Sequence, residues 1–137
     1  MTGLVLDASV AITWCYPDEQ TPYALSVLQA LRKLTVVVPS LWPLEVANAL
    51  LMGERRARLT AAEGAKFVSM LRTLAVEVDP QTPDRAPSDT MQLARIHQLT
   101  CYDAAYLELA MRRGLPLATL VAKLAAAAKS AGVPLFS

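Results

Sequence analysis

Residues 117–124 read LATLVAKL. A short apolar run follows Pro116, reaches the hydroxyl of Thr119 and passes directly into helix-forming residues. A buried strand of a parallel sheet delivers a side chain to the sheet edge in this way. Working outward, GLVLDA at 3–8 is a second run of this kind and ends on the carboxylate of Asp7. Thr35–Val38 is β-branched and bounded by Pro39, and Leu74–Val78 is a further strand. The fourth strand spans Pro116–Thr119, and Val133–Phe136 forms a short last one.

Helical patterns fill the intervals. A short helical turn is expected over 9–16 before Pro17 and Asp18 break it. A helix over 21–33 has Thr21 as its N-cap and Pro22 at its first position. Residues 40–58 form a helix with Pro43 in its first turn. Thr60-Ala61-Ala62-Glu63 matches a capping box and starts a helix that ends near Arg72. The stretch 79–89 carries three prolines and reads as a connection. The next helix starts within it or just after it and runs to about Gln98. Another covers 102–113, with Gly114 placed to take a left-handed conformation past its end, and a last one covers 121–131. Strands alternate with helices and no hairpin signal separates them. The expected architecture is therefore α/β: a three-layer α/β/α sandwich around a mostly parallel sheet of four or five strands. In such a sheet the ligand site lies beyond the C-terminal ends of the strands.

The chain has 137 residues, enough for one domain with a real core, so 1–137 is taken as a single unit. Apolar residues make up 54% and charged residues 18%, a composition that excludes disorder. The high alanine content suggests closely packed helices and a surface partly buried by a partner. A net charge of +1 excludes a polyanion binder that works through overall charge, so any nucleic-acid contact must come from local basic clusters. Cys15 and Cys101 sit far apart without a CxxC or a histidine cluster, as in a reduced protein. Asp7 interrupts any leader-like apolar segment, and no 18-residue apolar stretch occurs. A soluble, cytoplasmic protein with no membrane role is expected.

Three carboxylates stand out. Asp7 closes an apolar strand, where a site of a parallel sheet would lie, although capping the following turn is a structural alternative. On the helix over 40–58, Leu41, Leu44, Val46 and Leu51 can cover apolar surface while Glu45, the sole charge between Lys33 and Glu54, looks elsewhere, and Asn48 follows three residues later on the same helix face. Asp103 sits at the capping-box spacing from Thr100, so a structural role competes with a functional one. Gathered at one sheet edge, such acids would repel unless a divalent cation joined them. Hard oxygen donors suit Mg²⁺ or Mn²⁺ rather than zinc. The chemistry that follows is attack of water on a phosphodiester.

VLDASV at 5–10, PSLWPLEVANAL at 39–50, YDAAYLELA at 102–110 and LATLVAKL at 117–124 together resemble the PIN-domain ribonucleases. The likeness is greatest to VapC-type toxins of prokaryotic toxin–antitoxin pairs, and it covers nearly the whole chain. The resemblance implies that Asp7, Glu45 and Asp103 are catalytic and hold the metal. It also implies that Ser9, Asn48 and Thr119 support them. Similar proteins cut transfer or ribosomal RNA with Mg²⁺ or Mn²⁺ and are inhibited by a cognate VapB-type antitoxin. A homodimer is a further implication.

One position departs from the family. Where its members commonly carry aspartate two residues after the Thr119 match, this chain has Val121. Valine cannot ligate a metal or orient a water. Two charges about 5 Å apart repel by roughly 3 kcal/mol at an effective dielectric of about 20, so the loss relieves repulsion. Losing a ligand or its anchor typically costs about 10–100-fold in affinity or activity. The expectation is a stable fold with weakened metal binding and reduced or absent cleavage. The alternative is a non-catalytic module that binds the antitoxin without cutting RNA.

The remaining features read as structural first. His97 is a helix-end residue and Trp14 and Trp42 are core residues. Arg112 and Arg113 are helix C-terminal charges, and Lys123 is exposed. Arg55, Arg56 and Arg58 form the densest basic cluster, either a solvated helix end or a contact for RNA or antitoxin. A phosphohydrolase with Asp7 as nucleophile would want a second aspartate where Ser9 stands.

Overall fold

The structure, a computed structural model, describes residues 3–137; residues 1 and 2 of the expected 1–137 unit lie outside the described residues. Four parallel strands, β1 (Gly3–Leu6), β2 (Thr35–Val38), β3 (Val76–Val78) and β4 (Leu117–Ala118), are ordered β3-β2-β1-β4. β1 pairs with both β2 and β4 and is buried throughout, which is why its sequence is apolar without alternation. β3 is an edge strand, and Val78 is correspondingly exposed.

The helices are α1 (Ala8–Thr13), α2 (Pro22–Ala30), α3 (Trp42–Arg55), α4 (Ala61–Leu71), α5 (Thr82–Arg85), α6 (Met91–His97), α7 (Cys101–Arg113) and α8 (Ala122–Ser130). From β1 to β3 the chain moves one way across the sheet, and from β3 to β4 it returns. Right-handed crossovers then place α1–α4 on one face and α5–α7 on the other, giving the three expected layers. Helix α7 packs against β1, β4, α6 and α8. Burial on all sides explains its run Ala104–Ala110, in which every residue is buried.

Local signals act as the residue types dictate. The Thr21 hydroxyl accepts from Ala24 N–H, and both halves of the Thr60–Glu63 capping box are formed. At α7 the Thr100 hydroxyl accepts from Asp103 N–H at 3.1 Å, the half of the box that leaves the Asp103 carboxylate uncommitted. Gly114 closes α7 with φ +63°, a conformation that costs glycine little.

Three elements differ from expectation. The proline-rich stretch is largely helical. A helical track runs from Thr82 through wide, π-type turns at Ala86–Thr90 into α6. Pro87 lies at that widening, where its missing N–H removes a ladder bond. The last strand is reduced to one bridge, Leu117 to Leu135, with hydrogen bonds of 2.9 Å on either side. Leu44 and Leu51 of α3, expected to cover apolar surface, are 75% and 41% exposed. The buried stripe of that helix is Trp42, Val46, Leu50 and Gly53 instead.

Candidate active site

Strand order reverses between β1 and β4, the switch point at which a parallel sheet opens a crevice at its C-terminal edge. Asp7 follows β1 at that point and Thr119 follows β4. The two strands pair in register Leu6 to Ala118, so the residues just beyond them are neighbours.

The Asp7 carboxylate is 3% exposed. Its Oδ2 accepts from Thr119 Oγ1 at 2.7 Å and from Ser9 Oγ at 2.8 Å. Each hydroxyl is itself fed by a backbone donor: Val121 N–H gives to Thr119 Oγ1 at 3.0 Å, and Leu120 N–H gives to Ser9 Oγ at 3.1 Å. A backbone N–H can only donate, so each hydroxyl directs its single proton at Asp7. Oδ2 is thereby saturated. Oδ1 keeps one long contact, 3.4 Å from Ser9 N–H, and is the oxygen left for a ligand.

Glu45 arrives from α3 and shows the same division. Its Oε1 accepts from the Tyr106 hydroxyl at 2.5 Å, and Oε2 has no hydrogen bond among the described residues. Asp103 stands in the first turn of α7, half-buried, one turn before Tyr106. Asn48 is exposed and makes no side-chain hydrogen bond among the described residues. Val121 occupies the N-cap position of α8 and supplies no cap bond.

Charge links the three acids in part, with Glu45 affected by Asp7 and Asp103 and Asp103 affected by Asp7. Burial, against the Thr119 and Ser9 hydrogen bonds, pushes the Asp7 carboxyl above its ordinary range. Burial raises Glu45 as well, opposed by the Tyr106 bond and helped by the charges of Asp7 and Asp103. Asp103 is raised by burial and then by the charge of Asp7. Among the described residues, no three His, Cys, Asp or Glu side chains are close enough together to form a direct metal cage. The donor set is all oxygen, with a free oxygen on each of two anchored carboxylates. That set fits a hard cation, which keeps waters and takes one or two protein carboxylates.

Away from this edge, two features escaped the sequence reading. Arg112 is not a solvated helix-end charge. Its guanidinium bonds Asp79 at 2.7 and 3.1 Å and Glu108 at 2.8 and 2.9 Å, with all three groups largely buried. Arg58 leaves the basic cluster: it pairs with Asp18 and Glu19 and lies 4.3 Å from the Tyr16 ring centroid. Arg55 and Arg56 stay exposed, His97 ends α6, and both tryptophans are buried, as expected. A mainly apolar groove of about 780 Å³ runs between α3, α4 and edge strand β3. Trp42 borders it, with an indole N–H that is buried and finds no acceptor among the described residues.

A four-strand parallel sheet with acids near its switch point defines an α/β domain with a candidate site for a hard cation, and comparison with known proteins narrows the class. The PIN domain family model matches residues 4–130, so the chain belongs to the PIN-domain family. It is 31% identical over 122 residues to Ribonuclease VapC3 of Pyrobaculum aerophilum, covering 89% of this chain and 92% of the relative. That likeness makes it a PIN-domain protein of the VapC ribonuclease type. The crystal structure of PAE2754 from the same organism superposes with a TM-score of 0.67 at 24% identity. It covers 92% of this chain and 86% of that one, a likeness of fold.

Proposed function

We propose that this chain is a metal-dependent endoribonuclease toxin whose cleavage is weakened by Val121, with Asp7, Glu45 and Asp103 as its catalytic and metal-holding acids. The carrying observation is the division of labour within the carboxylates. Asp7 and Glu45 each spend one oxygen on a fixed hydroxyl and leave the other open. Mg²⁺ or Mn²⁺, when bound, would lower the pKa of a water and neutralise charge on the scissile phosphate. The residues of the chain do the rest. Ser9 and Thr119 hold Asp7 against rotation, and Asp103 and Glu45 add the negative potential that favours a dication. Asn48, exposed on the Glu45 helix, is the residue taken to meet substrate.

The substrate in this reading is RNA, transfer or ribosomal, and the compartment is the cytoplasm. Among the described residues no helix is long and apolar enough to cross a membrane. The inhibitory partner is a VapB-type antitoxin. Exposed Leu44 and Leu51 and the apolar groove beside α3 and α4 support a protein-covered surface on the helix that carries Glu45. Exposed apolar surface is also what supports a homodimer.

The test is cleavage of total transfer RNA by the purified chain with Mg²⁺, Mn²⁺ or chelator, beside its Asp7→Asn variant. Metal-dependent cutting that Asp7→Asn abolishes supports the nuclease. Cutting that persists in chelator or in Asp7→Asn counts against it. The second reading, a module that holds the antitoxin without cutting, is favoured by Val121. Antitoxin binding with no cleavage under any metal would establish it.

A further inference from the structure

The Tyr106 side chain is fully buried, yet its hydroxyl reaches the edge of the candidate site. It accepts from Ala8 N–H at 3.3 Å and donates to Glu45 Oε1 at 2.5 Å. Ala8 directly follows Asp7, Glu45 lies on α3, and Tyr106 rises one turn after Asp103 on α7. One phenol oxygen thus joins the three segments that carry the three acids. The donor logic fixes its direction. Ala8 N–H can only donate, so the phenol oxygen receives there, and its single proton is left for Glu45. The arrangement repeats what Ser9 and Thr119 do for Asp7: a backbone N–H feeds a hydroxyl, and the hydroxyl pins one carboxylate oxygen.

We infer that Tyr106 is a positioning residue for the metal-dependent reaction, holding Glu45 by Oε1 so that Oε2 is left free for a cation. This rests on the dication reading of the preceding section. Without the phenol, the Glu45 side chain is free to rotate through its rotamers and the register of α7 against α1 and α3 loses its polar tie.

The test uses the full chain and its Tyr106→Phe variant. Phenylalanine keeps the buried ring, so the core stays filled and circular dichroism checks the fold. Mn²⁺ affinity is measured by calorimetry or by the electron paramagnetic resonance signal of free Mn²⁺. Loss of such an outer-sphere anchor typically weakens metal binding about 10–100-fold, and a loss in that range is expected for Tyr106→Phe. In the Glu45→Gln background the same change should have little further effect, because Tyr106 acts through Glu45. Val27→Ala, a fully buried change on α2, supplies a comparison that lowers Tm without touching the site. Undiminished Mn²⁺ affinity in Tyr106→Phe, beside a wild type that binds, would overturn the role of Tyr106 and leave the nuclease reading intact. A wild type that binds no Mn²⁺ at all would sink the dication reading, and the inference with it.

Discussion

The Thr119 hydroxyl donates to Asp7 Oδ2 at 2.7 Å, tying the ends of β4 and β1 across the switch point of the sheet. The bond is buried and does two jobs, since the same oxygen accepts from Val121 N–H. Thr119→Val keeps the shape and removes both functions. It leaves a buried carboxylate oxygen short of one donor and a backbone N–H without its acceptor. Asp7 Oδ2 keeps its bond from Ser9, so only the Val121 N–H is left with no partner, and one unsatisfied group of this kind costs about 1–3 kcal/mol. Urea unfolding at neutral pH should show a loss of about 1–3 kcal/mol with an unchanged m-value. Thr119→Ser, which keeps the hydroxyl, should recover most of that loss.

The acids predict how metal-free stability varies with pH. Burial, with mutual repulsion where it acts, holds Asp7, Glu45 and Asp103 above their ordinary values of 3.8, 4.5 and 3.8. Between each ordinary value and the raised one, the folded protein binds a proton that the unfolded chain releases. Stability from these groups is therefore highest at or below the ordinary values and is lost as pH rises through the raised ones. Asp79 runs the other way. Burial pushes it up, but hydrogen bonds from Arg112, Thr82 and Gln81 outweigh that and leave it below 3.8. Its contribution is present above 3.8 and is lost as pH falls through the lowered value. The metal-free protein should gain stability on acidification from neutrality toward the ordinary carboxylate range, then lose it below that range. Thermal melts from pH 7.5 to 3 read this directly, and a monotonic fall from neutrality would contradict it. Saturating Mn²⁺ should flatten or invert the neutral limb, since ions bind the deprotonated acids.

Arg112 is the charge whose removal should cost the most. Its guanidinium satisfies Asp79 at the end of β3 and Glu108 in the middle of α7, and both carboxylates are nearly inaccessible. Arg112→Met would strand two buried negative charges. Breaking a buried pair from one side typically costs about 3–5 kcal/mol. The expected result is a drop of that order in unfolding free energy by chemical denaturation. Arg112→Lys should restore only part of it, because an ammonium cannot reproduce the planar fork that bonds both acids. A triple change, Arg112→Met with Asp79→Asn and Glu108→Gln, should be less destabilised than Arg112→Met alone, since no charge is then left unpaired.

The sequence carried β1, β4 and the Val36–Val38 part of β2 well because each is an unbroken apolar run, and a buried parallel strand needs no polar face, whereas the edge strand β3 was legible from its β-branched Val76 and Val78 around the charged Glu77. Caps at Thr21, Thr60 and Thr100 were legible because hydroxyl-to-N3 bonding is a local matter. Asp7 and Thr119 were legible as strand-end residues, Ser9 came from the family resemblance alone, and their meeting follows once the strand order is fixed. Tyr106 was not, since an aromatic within an apolar helix reads as core, and its ring is core. Only its hydroxyl, facing Glu45 across 61 residues of chain, has a second use. The Arg112 clasp was hidden for a different reason. Arg112 sits in the last turn of α7, where a solvated charge is ordinary, and its partner Asp79 lies 33 residues away. Pro87 misled in the opposite direction: it reads as a break, yet the helical track absorbs it by widening.

Val121 brings the structural and functional arguments into one substitution. It holds the N-cap position of α8 with extended backbone, φ −84° and ψ 114°, the conformation an N-cap requires. Its side chain accepts nothing, so the first turn of α8 lacks a cap. Val121→Asp would supply an acceptor for those N–H groups, worth about 1 kcal/mol, and would favour the positive end of the helix dipole. It would also place a fourth negative charge beside Asp7 and Thr119, whose repulsion opposes the gain. In metal-free protein these effects oppose one another, and a Tm close to that of the parent is expected at neutral pH. With Mn²⁺ or Mg²⁺ the repulsion becomes attraction, so the variant should show a larger metal-induced rise in Tm than the parent. Cleavage of total transfer RNA should increase about 10–100-fold if the restored carboxylate anchors the metal or its water. Equal cleavage and equal metal-induced shifts in the two proteins would mean that Asp7, Glu45 and Asp103 are sufficient without a fourth acid.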